Sequence, residues 1–221
     1  MNKNKIIDYV MTSPYNTNAA ILDNMLMALL AENSTVASEA ELSDAFAQGK
    51  DVILAKNMVT EAPILVTKDS TLDLNRKSIE ASAESEEWYM LKADGATLVL
   101  DGNGMVSAGK SKQAIPVTAV NGGKVIINGG DYRGKGELQC VYANGGKVEI
   151  YGGTFGTVAG DEAKDLLNVQ NTHDVTDIQV YGGRFIGRDP ALGDDALGGS
   201  FVAPGYMSIE VEPGIFEVVK A

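Results

Sequence analysis

Apolar and polar residues alternate through most of this chain in short runs that end on small or turn-forming residues. Val52-Ile53-Leu54, Ile64-Leu65-Val66, Thr71-Leu72-Asp73-Leu74, Thr97-Leu98-Val99-Leu100, Val125-Ile126-Ile127, Val148-Glu149-Ile150 and Ile178-Gln179-Val180 all read as short strands. Only the beginning of the chain follows the helical period. Ile6, Ile7, Val10 and Met11 fall on one helical face, and Ile21, Leu22, Met25, Leu26 and Leu29 form a second stripe. Between them Thr12-Ser13-Pro14-Tyr15-Asn16-Thr17-Asn18 breaks the period: Pro14 cannot continue a helix, and Asn18 suits an N-cap. Residues 1–33 therefore form a helical segment of two short helices around a rigid polar turn. Such a segment is too short to be stable alone, so its stripe must meet the rest of the chain, a sister chain or another protein.

Ala31 to Ser38 reads as a hinge. A short helix over 39–47 follows, with Leu42, Ala45 and Phe46 on one face and a capping box from Ser38 and Glu41. Placed before the first strand, it is expected to cover an open sheet end. At the other end, Tyr206 to Val211 and Ile215 to Val219 flank Pro213-Gly214 as a closing hairpin over 206–219.

The strands repeat one another. Asn121-Gly122-Gly123-Lys124-Val125-Ile126-Ile127-Asn128-Gly129-Gly130-Asp131-Tyr132 returns as Asn144-Gly145-Gly146-Lys147-Val148-Glu149-Ile150-Tyr151-Gly152-Gly153-Thr154-Phe155, an offset of 23 residues (144 minus 121). A third copy, Asp177 to Phe185, follows 30 residues after the second (182 minus 152), so the turns vary in length while the strand persists. One such strand cannot bury its inward face alone, and copies must stack. The fold class expected is mainly β: a right-handed parallel β-helix over residues 34–221, preceded by the α-helical segment. Of 25 glycines, 24 lie at or after residue 95, so early turns must use Asn, Asp and Ser where later ones use Gly-Gly.

Charge and composition narrow the partners. A net charge of −12 repels phosphate backbones, so nucleic acid is not expected as a partner. The apolar stretch Ala19 to Leu30 is too short to span a bilayer and carries Asp23 and Asn24, so no membrane insertion is expected, and no secretion leader is apparent. The single Cys140 excludes an internal disulfide and reads as a buried strand position rather than a reactive thiol. Gly104 to Ser111 matches the phosphate-binding pattern GxxxxGKS, but that loop needs a following helix, and Pro116 with its β-branched neighbours denies one. It is expected to be a solenoid turn.

Acid–base hydrolysis would need two carboxylates meeting across adjacent turns. Asp161, Glu162 and Asp165, then Asp174 and Asp177, then Asp189, Asp194 and Asp195 supply candidates, although acidic loops also simply solvate an acidic protein. His173 is the only histidine and cannot build a His-rich metal site; Arg184 and Arg188 could meet sugar carboxylates, against the repulsion of the acidic body. Tyr132, Tyr142, Tyr151 and Tyr181 could stack on a neutral glycan, or pack on their own strands. No catalytic residue, metal site or cofactor is assigned.

The stretch Ile6 to Leu26 resembles the N-terminal segment of bacteriophage head fibre proteins. In that family a Tyr-Val-Met run leads through a Pro-containing turn to Asn-Thr-Asn, an apolar pair and Met-Leu. Tyr9, Val10, Met11, Pro14, Tyr15, Asn16, Thr17, Asn18, Ile21, Leu22, Met25 and Leu26 make up this run here, with Ala19 where the family usually has Pro. The resemblance implies a non-enzymatic virion protein on the outer capsid surface, made in the host cytoplasm. It also implies attachment through these residues to the major capsid protein or another capsid surface protein, and assembly as a homotrimer. A host-surface glycan is a further candidate partner. The remainder is similar in pattern to pectin-lyase-like β-helices, a likeness of fold that implies no activity. The alternative function is a glycan-binding or polysaccharide-degrading β-helix, a lyase or hydrolase.

Overall fold

A computed structural model describes residues 33–85, 89–135, 139–158 and 165–221. The chain opens with β1 (Asn33–Val36) and α1 (Glu39–Ala47), and then winds through three strands at a time. The first circuit is β2 (Asp51–Leu54), β3 (Met58–Thr60) and β4 (Ile64–Val66); the next is β5 (Ser70–Asp73), β6 (Ser78–Ala81) and β7 (Tyr89–Asp94). Then come β8 (Thr97–Asp101), β9 (Met105–Ser107) and β10 (Ile115–Val120), followed by β11 (Lys124–Ile127), β12 (Asp131–Gly134) and β13 (Val141–Asn144). β14 (Lys147–Ile150), β15 (Thr154–Thr157) and β16 (Leu167–Val169) complete a further circuit. After β17 (Ile178–Val180) and β18 (Arg184–Ile186) the path closes with the hairpin β19 (Tyr206–Glu212) and β20 (Ile215–Lys220). Strands of like position pair in parallel into sheets of seven, five and eight strands, the last including the antiparallel β19 and β20, so the fold is a three-sided parallel β-helix.

Alternation dictates what lies inside. Strands such as β2, β6, β11 and β12 bury every second residue, and parallel in-register pairing stacks those residues into columns. On the seven-stranded sheet Leu72, Leu100, Ile127, Ile150 and Val180 form one column. The eight-stranded sheet stacks Met58, Ile79, Val106, Tyr132, Phe155, Phe185 and Phe216. The five-stranded sheet contributes Ile64, Leu91, Val117, Val141 and Leu167. Tyr132 belongs to the core, fully buried, and its hydroxyl donates to the Gly129 carbonyl at 2.8 Å. Its ring stacks on Phe155, which stacks in turn on Phe185. The expectation that Tyr132 could offer its ring to a glycan is therefore corrected: it sits on the inward side of its strand.

Both ends are covered. Ser38 caps α1 by accepting from the Glu41 amide at 3.3 Å, while the Glu41 carboxylate reaches back to the Ala37 amide at 2.6 Å. The helix buries Leu42, Ala45 and Phe46 against the first circuit. The hinge expected over Ala31 to Ser38 is corrected in part, because residues 33–36 form β1. This strand is held by in-register pairing to β2, Asn33 opposite Asp51 through Val36 opposite Leu54, and so needs little apolar pattern of its own. At the far end β20 turns antiparallel onto β18, and Arg184 fixes it with ion pairs of 2.8 Å to both Glu212 and Glu217. Among the described residues no helix is long and apolar enough to cross a membrane.

Candidate functional site

The residues through which the sequence proposes attachment, Tyr9 to Leu26, lie outside the described residues, as do Asp161 and Glu162. The other candidate positions can be placed.

The acidic loops are occupied with backbone. Asp174 caps a 3-10 turn, accepting from the Thr176 amide at 2.8 Å and its hydroxyl at 2.7 Å, and these bonds hold its carboxyl below the usual range. Asp189 caps the next turn through the Ala191 amide at 2.9 Å. Asp194 is almost fully buried and receives three amides, those of Ala196, Leu197 and Val169. Asp195 pairs with Arg188, which also lies 3.7 Å from the buried Asp165. A carboxylate whose oxygens are taken up by backbone amides of its own loop is poorly placed to exchange a proton with a substrate. Asp174, Asp189 and Asp194 thus serve as turn caps and Asp195 as an ion-pair partner.

Gly104 to Ser111 runs through β9 into a tight turn in which the Ser111 amide donates to the Ala108 carbonyl at 3.0 Å, and the chain proceeds to β10. The helix that phosphate binding requires is replaced by a strand. His173 lies over the Gly145 corner, beside an open groove of about 390 Å³ that Lys124 and Lys147 also line. Lys124 is paired with Glu149 at 2.8 Å.

Cys140 sits just before β13, fully buried, with Sγ 3.0 Å from the Gly156 carbonyl and accepting the Gly134 amide at 3.3 Å. Burial pushes its thiol from an ordinary 9.0 up to about 12. In the unfolded chain the thiol ionises near the ordinary value. This group's contribution to stability is therefore intact below about pH 9 and is lost progressively as pH rises toward 12. At pH 8 a disulfide reagent is expected to label Cys140 at least a hundredfold more slowly in native protein than in urea, a burial effect that absorbance of the released thiolate reads directly.

The aromatic candidates divide by column. Tyr142 is half-buried, stacked on Tyr89 at 6.3 Å and donating to Gln170 at 2.6 Å. Tyr151 and Tyr181 occupy the outer corner after β14 and β17. Their rings stack at 4.8 Å with 9° between planes, and Tyr206, at the start of β19, closes the far side edge-on at 5.4 Å. Tyr151 remains 49% exposed and its hydroxyl donates to Glu149 at 3.2 Å. The same column continues upward through Asn128 and Asp101, because the amides of Asn128, Tyr151 and Tyr181 bond to the residues preceding Asp101, Asn128 and Tyr151. Asn128, Asp101 and Tyr206 were not singled out from sequence. The repeat does align Asn128 with Tyr151 and Tyr181, so that signal was available.

No family model matches the chain, and neither a curated protein nor a solved structure gives a significant match.

Proposed function

We propose that this chain is a structural protein of a bacteriophage particle, a head fibre or capsid decoration protein. Its segment 1–33 attaches to the outer capsid surface and its β-helix is displayed outward. The observation that carries this reading is the run from Tyr9 to Leu26, with its rigid Pro14-Tyr15-Asn16-Thr17-Asn18 turn between two apolar stripes. Two features of the body support it. The β-helix carries α1 on one end and the β19–β20 hairpin on the other, and the preceding segment has apolar stripes of its own. On this reading those stripes meet a capsid protein, sister chains in a trimer, or both. The charge of −12 favours mutual repulsion between neighbouring displayed copies. On this reading the chain needs no catalytic residue and no cofactor.

Co-sedimentation with particles stripped of this protein tests the proposal. Full-length chain is expected to pellet with the particles, and a chain beginning at Asn33 to stay in solution with affinity reduced at least a hundredfold, equivalent to about 2.7 kcal/mol or more. The cut belongs before Asn33 because that residue already pairs with Asp51. Equal binding by the shortened chain would overturn the anchoring role.

A further inference from the structure

We propose that the open face of Tyr151 is a binding platform for one neutral hexopyranose unit of a longer glycan, with Asn128 and Asp101 supplying its polar contacts. This goes beyond the attachment role and does not depend on it. Tyr181 covers one face of the Tyr151 ring at 4.8 Å, and Tyr206 closes that stack from below. The other face turns toward the preceding position of the column, which holds Asn128, so the aromatic stack ends there while the ring stays 49% exposed. A stack of rings that stops at a short amide leaves a flat aromatic floor beside polar side chains.

The chemistry around that floor selects the ligand. The C–H bonds on one face of a pyranose are made electron-poor by neighbouring oxygens and are attracted to the negative face of an aromatic ring. The hydroxyls at its edge need planar acceptors and donors. The carboxamide of Asn128 can offer both, and Asp101 offers an acceptor, since its Oδ1 takes the Gly102 amide at 2.7 Å and Oδ2 lies outside that bond. Glu149, held by Lys124 and by the Tyr151 hydroxyl, adds a second carboxylate at the side. Two carboxylates beside the platform disfavour a sugar acid or a sulfated sugar, which fixes the ligand as neutral. The site is an open corner rather than an enclosed cavity, so a purely apolar molecule would remain largely in water.

Full-length protein with ring-labelled tyrosine, titrated by NMR with hexamers of glucose (α- and β-1,4-linked), mannose and N-acetylglucosamine and with oligogalacturonate, tests the proposal. At least one neutral hexamer is expected to shift the Tyr151 and Tyr181 ring signals with millimolar affinity, and oligogalacturonate is expected to shift neither. Tyr151→Ala should weaken binding by about tenfold, Tyr151→Phe should retain it within about twofold, and Asn128→Ala should fall between. Because Tyr151→Phe keeps the stack, it separates loss of the platform from loss of folding. The proposal is overturned if no neutral hexamer moves the Tyr151 signal at millimolar concentration, if Tyr151→Ala binds as the native protein does, or if the acidic oligomer binds more tightly. No particle enters this experiment, so its failure leaves the attachment reading untouched.

Discussion

Replacing Phe155 by alanine is expected to remove about 5 kcal/mol of stability, a third or more of the roughly 5–15 kcal/mol a domain typically has. Phe155 is fully buried in the middle of the inward column of the eight-stranded sheet. Its ring lies 5.2 Å from that of Tyr132 and 4.9 Å from that of Phe185, with interplanar angles of 13° and 12°. Truncation of a buried Phe costs about 3–5 kcal/mol in transfer and cavity terms, and each ring contact adds about 0.5–1.5 kcal/mol in part. The backbone around it is pinned by parallel pairing on both sides, so the cavity cannot collapse. Phe155→Leu, which keeps most of the apolar volume, should lose only about 1.5–2 kcal/mol. Urea unfolding measures both. A loss for Phe155→Ala below that for Phe155→Leu would contradict the column as the main seat of packing.

The second large effect falls on a glycine, and its neighbour provides the control. Gly122 and Gly123 are adjacent at the corner before β11, and each is glycine for a different reason. At Gly122 φ is +77° and nothing lies within 4 Å of an added Cβ, so only conformation is at stake. At Gly123 φ is ordinary, but a Cβ would lie 2.4 Å from the Ala93 carbonyl oxygen and 2.9 Å from that of Val120. Those are backbone atoms held in β7 and β10, and they cannot swing aside. Gly123→Ala is therefore expected to cost about 3 kcal/mol by overpacking, and Gly122→Ala about 1 kcal/mol from the left-handed backbone. Thermal or urea unfolding of the two variants ranks them. The reverse order would mean that the corner is set by turn conformation and not by close approach of successive circuits.

Much of this architecture is written in the repeat itself. The offset of 23 residues becomes the register of β11 on β14, with Lys124 opposite Lys147, and of β12 on β15. The offset of 30 becomes Thr154 opposite Arg184. Six strands of the seven-stranded sheet, all but β1, were legible because they alternate cleanly between turn-forming residues. The central strand of the five-stranded sheet was not, for a physical reason. β10, Ile115-Pro116-Val117-Thr118-Ala119-Val120, is buried at every position and shows no alternation to read. β1 escaped notice because edge pairing, rather than an apolar pattern, holds Asn33 to Val36 in place.

The tyrosines show where counting by residue type fails and parity succeeds. Tyr132 aligns with Phe155 and Phe185, two purely apolar rings, which marks its column as inward. Tyr151 follows the inward Ile150 directly and must face out. The acidic loops could not be resolved this way. Asp174, Asp189 and Asp194 each take an amide two residues on, a local cap that residue type can suggest. The bond from the Val169 amide to Asp194, however, joins loops 25 residues apart, and nothing in the local pattern encodes it.

The most direct test of the attachment role asks whether the N-terminal segment is sufficient as well as necessary. Residues 1–32, fused to an unrelated soluble trimeric protein, can be mixed with particles stripped of this chain and imaged after sedimentation. The fusion is predicted to pellet with the particles, to occupy the same capsid positions as the intact protein and to be displaced by it. A fusion that stays in the supernatant while the intact chain pellets would contradict attachment through that segment and would transfer the capsid contact to the β-helix.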